Sequence, residues 1–232
     1  MARPFRYQPP SMAGRAVPRP RPLATLTERW DRRVVTVVAG PGFGKTALLV
    51  AATTNQSPQL GTDVWLSCEP ADESADHLTA GLAHAIDLAP GADLDAVLGA
   101  VWAQVPREVC IVLDDVHEIP SGSGGAEVLA RLVSDLATNG HLVLASRDAI
   151  PVPLARVAAG GQLARVTEGD LVFDADELAA FAMARGVEPA LLASTGGWPA
   201  LAELTASAGA DLVLDYLWEE VLAGLGEERA GL

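Results

Sequence analysis

Five short runs along the chain read as strands, the first of them strongly β-branched. They are Val34–Ala39 (VVTVVA), Asp63–Cys68 (DVWLSC), Val109–Leu113 (VCIVL), His141–Ser146 (HLVLAS) and, more weakly, Leu163–Val166. Val34–Ala39 and Val109–Leu113 lack a clean polar alternation and read as buried strands, and the other three read as strands of the same sheet. Between them, apolar residues recur at helical spacing. The segment after Thr46 (ALLVAATT) reads as a helix, as do Ser74–Leu88, with Leu78, Leu82, Ala85 and Ile86 in step, and Asp93–Gln104. A flexible loop over Ser121–Gly125 precedes a further helix running to about Thr138. Strands alternating with helices predict a parallel sheet covered on both faces.

After Asp170 the strand signals stop. Asp174–Arg185 opens as D-A-D-E, with Asp174 as cap and Glu177 reaching back to it. Two more helices are expected over Pro199–Ser207 and Asp211–Leu225. The expected organisation is a basic N-terminal arm over 1–33, an α/β domain over 34–170 and a helical domain over 171–232. That last piece is short, so the chain reads as an excerpt of something longer.

The junction after the first strand carries the clearest chemistry. Ala39-Gly40-Pro41-Gly42-Phe43-Gly44-Lys45-Thr46 follows the phosphate-loop pattern G-x-x-x-x-G-K-[ST], with Ala in place of the first Gly. Gly42 and Gly44 let backbone N–H groups turn inward to cradle phosphate oxygens. The helix starting near Lys45, with Ala47 in its first turn, adds the positive end of its dipole. Lys45 can reach the β/γ-phosphates and the Thr46 hydroxyl can ligate Mg²⁺. A strand before and a helix after are the context this motif needs.

The third strand ends in Asp114-Asp115. Acids at the carboxyl end of a parallel sheet face the ligand crevice. Asp114 is expected to hold Mg²⁺ and Asp115 to polarise the attacking water. The fourth strand ends Ser146-Arg147-Asp148. If it lies beside the phosphate-loop strand, Arg147 stands near the terminal phosphate, where it could stabilise developing charge. The competing reading is a solvated arginine at a strand end. His77, His84, His117 and His141 show no metal-ligand spacing and read as solvated or core histidines.

Composition narrows the function classes. Half of the 232 residues are apolar and 20% are charged, a globular composition. The formal charge is -14, yet residues 1–33 hold eight arginines for a local +6. The acidic remainder repels phosphate backbones, so this chain alone is not expected to bind DNA. The basic segment is Pro-broken and lacks interleaved aromatics, which favours a flexible or docking arm. Lys45 is the single lysine beside 15 arginines. Only Cys68 and Cys110 are present, read as core thiols of a reducing cytosol. No apolar run approaches the ~20 residues that cross a bilayer, and no secretory signal is visible, so a cytoplasmic protein without membrane contact is expected.

Several stretches together resemble one family. Ala39–Thr46, VWLSCEP (64–70), CIVLDDVH (110–117), LVLASRDAIPVPL (142–154), DLVFDADE (170–177) and GGWP (196–199) occur in the order found in STAND-class signalling ATPases. The subgroup is that of the large ATP-binding LuxR-type regulators, typified by the bacterial maltose-regulon activator. The resemblance covers about residues 17–225. It implies an ASCE-type P-loop NTPase sheet of five parallel strands with flanking helices, then a partial helical domain. It implies ATP/ADP and Mg²⁺ as ligands, Asp114 and Asp115 as the acid pair, and Arg147 as a sensor arginine. Gly197 and Pro199 match a Gly-x-Pro element packed near the adenine. Val17-Pro18-Arg19 resembles a segment that also approaches the nucleotide.

The function so implied is a nucleotide-binding switch module of a signalling or transcriptional regulator, with slow ATP hydrolysis. Nucleotide-dependent self-association would follow in a longer regulator. Two other classes compete. A free-standing small-molecule kinase should carry an Arg-rich lid, where this chain offers Arg156 and Arg165. A non-hydrolysing scaffold would have no need of intact Lys45, Thr46, Asp114 and Asp115.

Overall fold

Strands without a polar face must be covered on both sides, and the fold does this. The computed structural model describes residues 4–12, 17–54 and 61–207. Among these residues lie β1 (Val34–Val38), β2 (Gly61–Ser67), β3 (Glu108–Asp114), β4 (Gly140–Ser146) and β5 (Leu163–Thr167). They form one parallel sheet in the order β2-β3-β4-β1-β5. β4 therefore separates the strand before the phosphate loop from the strand carrying the acid pair. Val38 lies level with Ser146 on one side and Thr167 on the other. The ends of β1, β4 and β5 thus form one rim.

The helices are α1 (Pro20–Thr27), α2 (Lys45–Thr54), α3 (Ala75–Ala85), α4 (Leu94–Trp102), α5 (Gly124–Asp135), α6 (Ala155–Ala159), α7 (Glu168–Leu171), α8 (Ala175–Arg185) and α9 (Pro199–Ser207). Side chains alternate across the strands. Val34, Leu66, Ile111 and Leu144 pack with Leu78 of α3, Val97 of α4 and Leu129 of α5. Val35, Val37, Val112 and Ala145 pack on the other face with Leu26 of α1 and Leu48 and Leu49 of α2. Cys68 belongs to the first cluster and Cys110 to the second.

The described part of the basic N-terminal segment is docked. Pro20 and Pro22 sit in the first turn of α1, where a missing N–H costs nothing, and Leu26 is fully buried. Just beyond, the buried Arg29 guanidinium donates to both Asp63 oxygens at 3.1 Å. Further upstream a turn over Pro4–Tyr7 carries Arg6. Arg6 is 3% exposed and donates to the fully buried Asp72 at 2.6 Å and also to Glu69.

Beyond β5 the helical piece has its own small core of Phe181, Ala182, Leu192 and Ala202. α8 starts with the expected capping box: Glu177 N–H donates to Asp174, and the Asp174 N–H donates back to Glu177. The helix expected over Asp211–Leu225 lies outside the described residues. Among the described residues no helix is long and apolar enough to cross a membrane.

Candidate phosphate-binding site

The loop between β1 and α2 turns through Gly42 (φ 75°) and Gly44 (φ 79°). These are conformations that side chains disfavour. Lys45, 7% exposed, folds back over the loop and donates to the carbonyls of Ala39 at 2.8 Å and Gly40 at 2.9 Å. Burial, and then the nearby charge of Arg147, hold its pKa below the ordinary lysine value. Pro41 lies in the same loop, and Ala47 in the first turn of α2.

The acid pair arrives from β3 across the end of β4. The Thr46 hydroxyl donates to Asp114 Oδ2 at 2.7 Å, and the Asp115 N–H donates to Asp114 Oδ1 at 3.1 Å. Asp114 is 2% exposed. Burial first, and the charge of Asp115 second, push its pKa up to about 6. A buried carboxylate so poorly compensated is a site that favours an incoming cation. A hydroxyl and a carboxylate are hard oxygen donors of the kind that suit Mg²⁺, which keeps several waters and takes one or two protein ligands. Thr46 and Asp114 fit that ion. Among the described residues no group of three or more His, Cys, Asp or Glu could hold a metal without other help.

Asp115 has φ 56° and ψ 40°, so it turns the chain left-handed just after the strand. Its side chain is 42% exposed and lies 3.9 Å from His117 Nδ1. Arg147 follows β4, which does lie beside β1. Its charge is close enough to lower the pKa values of both Lys45 and His117.

The Gly-Gly-Trp-Pro corner sits on the phosphate loop. Ala200 N–H, in the first turn of α9, donates to Gly42 O at 3.0 Å, and Trp198 stacks on Phe43. Pro199 is the first residue of α9. Behind it, Phe173 N–H donates to Gly197 O at 2.8 Å. Arg19 lies one layer further back. It donates to Glu177 at 3.1 Å and to Leu171 O at 2.6 Å, and its guanidinium lies over the Phe173 ring. The structure thus brings Lys45, Thr46, Asp114, Asp115 and Arg147 to one rim, with Gly197 and Pro199 against the loop. Arg19 is committed to the helical piece.

Two residues of this rim escaped the sequence reading. Glu168, opening α7, accepts from Gly40 N–H at 3.3 Å. It follows the weakest strand, and no spacing announced it. His117 lies three residues after Asp114, but with no metal-ligand spacing the sequence alone reads it as a solvated or core histidine.

No family profile matches the chain. It is 25% identical over 265 residues to the serine/threonine-protein kinase PknK of Mycobacterium tuberculosis, and equally to that of Mycobacterium bovis. The match covers 96% of this chain and 24% of PknK, so the chain spans about a quarter of the curated relatives it matches. Among solved structures, a Walker-type ATPase of Pyrococcus abyssi superposes with a TM-score of 0.64 at 13% identity, over 93% of this chain and 76% of that one. The ORC1 protein of Aeropyrum pernix, solved in complex with DNA, gives 0.54 at 16% identity, over 90% and 59%. The fold is that of an α/β P-loop NTPase.

Proposed function

We propose that the chain is an ATP/ADP-binding switch module of a STAND-class, LuxR-type signalling regulator, with slow Mg²⁺-dependent hydrolysis. The observation that carries this reading is the 2.7 Å bond from Thr46 to Asp114, which joins a phosphate loop to an acid-tipped strand. The sequence resemblance supplies the regulator class. The quarter share of PknK is consistent with a module of a larger protein.

In this reading the inward N–H groups of the loop and the Lys45 ammonium bind the β- and γ-phosphates. Bound Mg²⁺ would supply charge neutralisation between those phosphates, held by Thr46 and Asp114. Asp115 accepts a proton from the attacking water, and Arg147 stabilises charge on the phosphoryl group. The Trp198–Pro199 corner is seated on Gly42 and Phe43. A nucleotide that changes this loop therefore changes what the helical piece rests on. Such a shift requires that ATP and ADP favour the seated and unseated arrangements differently. The acidic bulk supports a module that does not bind DNA alone, and the two buried thiols support a cytoplasmic setting.

The test is equilibrium binding of a labelled ATP analogue with and without Mg²⁺. Wild type should bind and Lys45→Ala should lose most affinity while keeping its circular dichroism. Equal binding by both proteins would end the reading.

A further inference from the structure

We propose that His117 is a positioning residue that aims the Asp115 carboxylate at the water attacking the terminal phosphate of ATP. This inference rests on the nucleotide reading above and deepens it.

The local backbone sets the geometry. Asp115 occupies the left-handed region, a conformation that costs a non-glycine residue ~1–2 kcal/mol. Strain of this kind persists where surrounding structure enforces it, and it clusters at working sites. Here a short 3-10 turn, Val116–Glu118, follows at once, and Val116 anchors it in the core at 0% exposure. The reversal turns His117 back toward the residue two before it. Nδ1 of His117 lies 3.9 Å from Asp115 Oδ1, and Nε2 lies 3.7 Å from Glu118 Oε1. Nδ1 is buried and makes no hydrogen bond among the described residues. A buried ring nitrogen left without a bond calls for an explanation. The carboxylate it faces is the group assigned to the water.

The charges around the ring are Asp115, Glu118, Arg147 and Lys45. Burial is the largest influence and lowers the ring's pKa, which favours its neutral form. One nitrogen of a neutral imidazole donates and the other accepts. A proton on Nδ1 would be donated to Asp115 once the two approach by ~1 Å, to hydrogen-bond length. The Asp115 side chain is half-exposed, and an unaimed base forfeits the gain from orientation.

The step balances without any charge on His117. An O–H bond of water breaks and its proton passes to the Asp115 carboxylate. The water oxygen bonds to the γ-phosphorus, and the bond from that phosphorus to the β,γ-bridging oxygen breaks. ADP and inorganic phosphate leave, and Asp115 returns the proton to solvent.

The test measures two quantities on the full chain. One is equilibrium binding of a non-hydrolysable ATP analogue with Mg²⁺. The other is single-turnover hydrolysis of ATP with protein in excess. His117→Ala should slow hydrolysis ~10–100-fold and leave analogue affinity unchanged. His117→Asn, whose amide nitrogen can stand where Nδ1 stands, should recover much of the rate. His117→Gln, which reaches the Nε2 position, should not. In an Asp115→Asn background His117→Ala should add little further loss. Hydrolysis at the wild-type rate by His117→Ala overturns the proposal, as do equal losses in the Asn and Gln variants accompanied by weakened binding. If wild type fails to bind the analogue, the nucleotide reading itself is wrong. If it binds but hydrolyses no faster than Lys45→Ala, binding stands and the assignments of Asp115 and His117 fall.

Discussion

The Phe43 ring and the Trp198 indole stack with centroids 5.8 Å apart and planes 25° apart. One ring belongs to the phosphate loop and the other to the corner that opens α9. Stacked pairs of this kind contribute about 0.5–1.5 kcal/mol beyond their buried area. A contact of that size can hold two parts together and still be reversed by a ligand. With the remaining tryptophans replaced, Trp198 emission should change on ADP titration. Phe43→Ala should shift the emission of the ligand-free protein toward that of a solvated indole and shrink the ADP response. An emission indifferent to ADP in the Phe43 protein would separate the corner from the nucleotide.

Gly197 is fixed by close approach. It has φ 78°, and an added Cβ would stand 2.5 Å from Phe173 O and 2.7 Å from Val172 Cγ1. Gly197→Ala should therefore unseat the corner and lower the stability of the helical piece by about 1–3 kcal/mol. Gly99→Ala is the control, since a Cβ at this α4 position meets nothing within 4 Å. It should be neutral or stabilising by up to ~1 kcal/mol. Urea denaturation of the two variants beside wild type decides the matter, and equal midpoints would show that the corner tolerates rearrangement.

Asp114 makes the ligand-free fold pH-sensitive. Its pKa rises from 3.8 in the unfolded chain to about 6 in the folded one. Below both values it is protonated in either state and costs nothing. As pH rises from about 4 to about 6 the unfolded chain ionises first, and stability falls. Two units correspond to about 3 kcal/mol, which is the order of the full cost above pH 6. Asp114→Asn removes that cost. Its stability advantage over wild type should widen by about 1 kcal/mol between pH 5 and pH 7.5. Thermal denaturation in the absence of Mg²⁺ reads this directly. A constant gap would mean that Asp114 ionises normally.

The buried pair of Arg29 and Asp63 gives a stability prediction away from the rim. Both side chains are about 5% exposed, at 5% and 4%. Arg29 also donates to the carbonyls of Leu26 and Ala52. Arg29→Ala takes the ion-pair partner from a buried carboxylate and should cost about 3–5 kcal/mol. Arg156→Ala, at an exposed position, should stay within ~0.5 kcal/mol. Similar midpoints for the two variants would show that residues 17–33 contribute little to the fold.

The strands were legible because β1, β3 and β4 are buried on both faces, which leaves a continuous apolar signature. The Lys45 loop was legible because its glycines and its flanks carry one physical demand each. α1 was not legible. Its sequence PRPLATLT offers few apolar residues, and its stability comes from Leu26 packing on Val35 and Val37, a tertiary contact no local pattern announces. Arg6 and Arg29 read only as members of a flexible or docking basic arm. Their partners Asp72 and Asp63 are far away in sequence, so pairing was invisible. His117 was hidden by a backbone angle. With Asp115 in ordinary extended geometry, residues 115 and 117 would point the same way along a strand without the turn that faces one toward the other.

Cys68 and Cys110 are the only two thiols of the chain, and both are buried, on different sides of the sheet. Burial raises both pKa values well above the ordinary thiol. The thiolate is the reactive form, so neither should take up a maleimide or nitroxide reagent in the folded protein. The native sequence is therefore already a silent background for site-directed labelling. Cysteines introduced at the exposed positions Ser207 on α9 and Arg156 on α6 would react alone. A spin or dye pair placed there would serve as a ruler between the helical piece and the sheet, with no native residue to remove first.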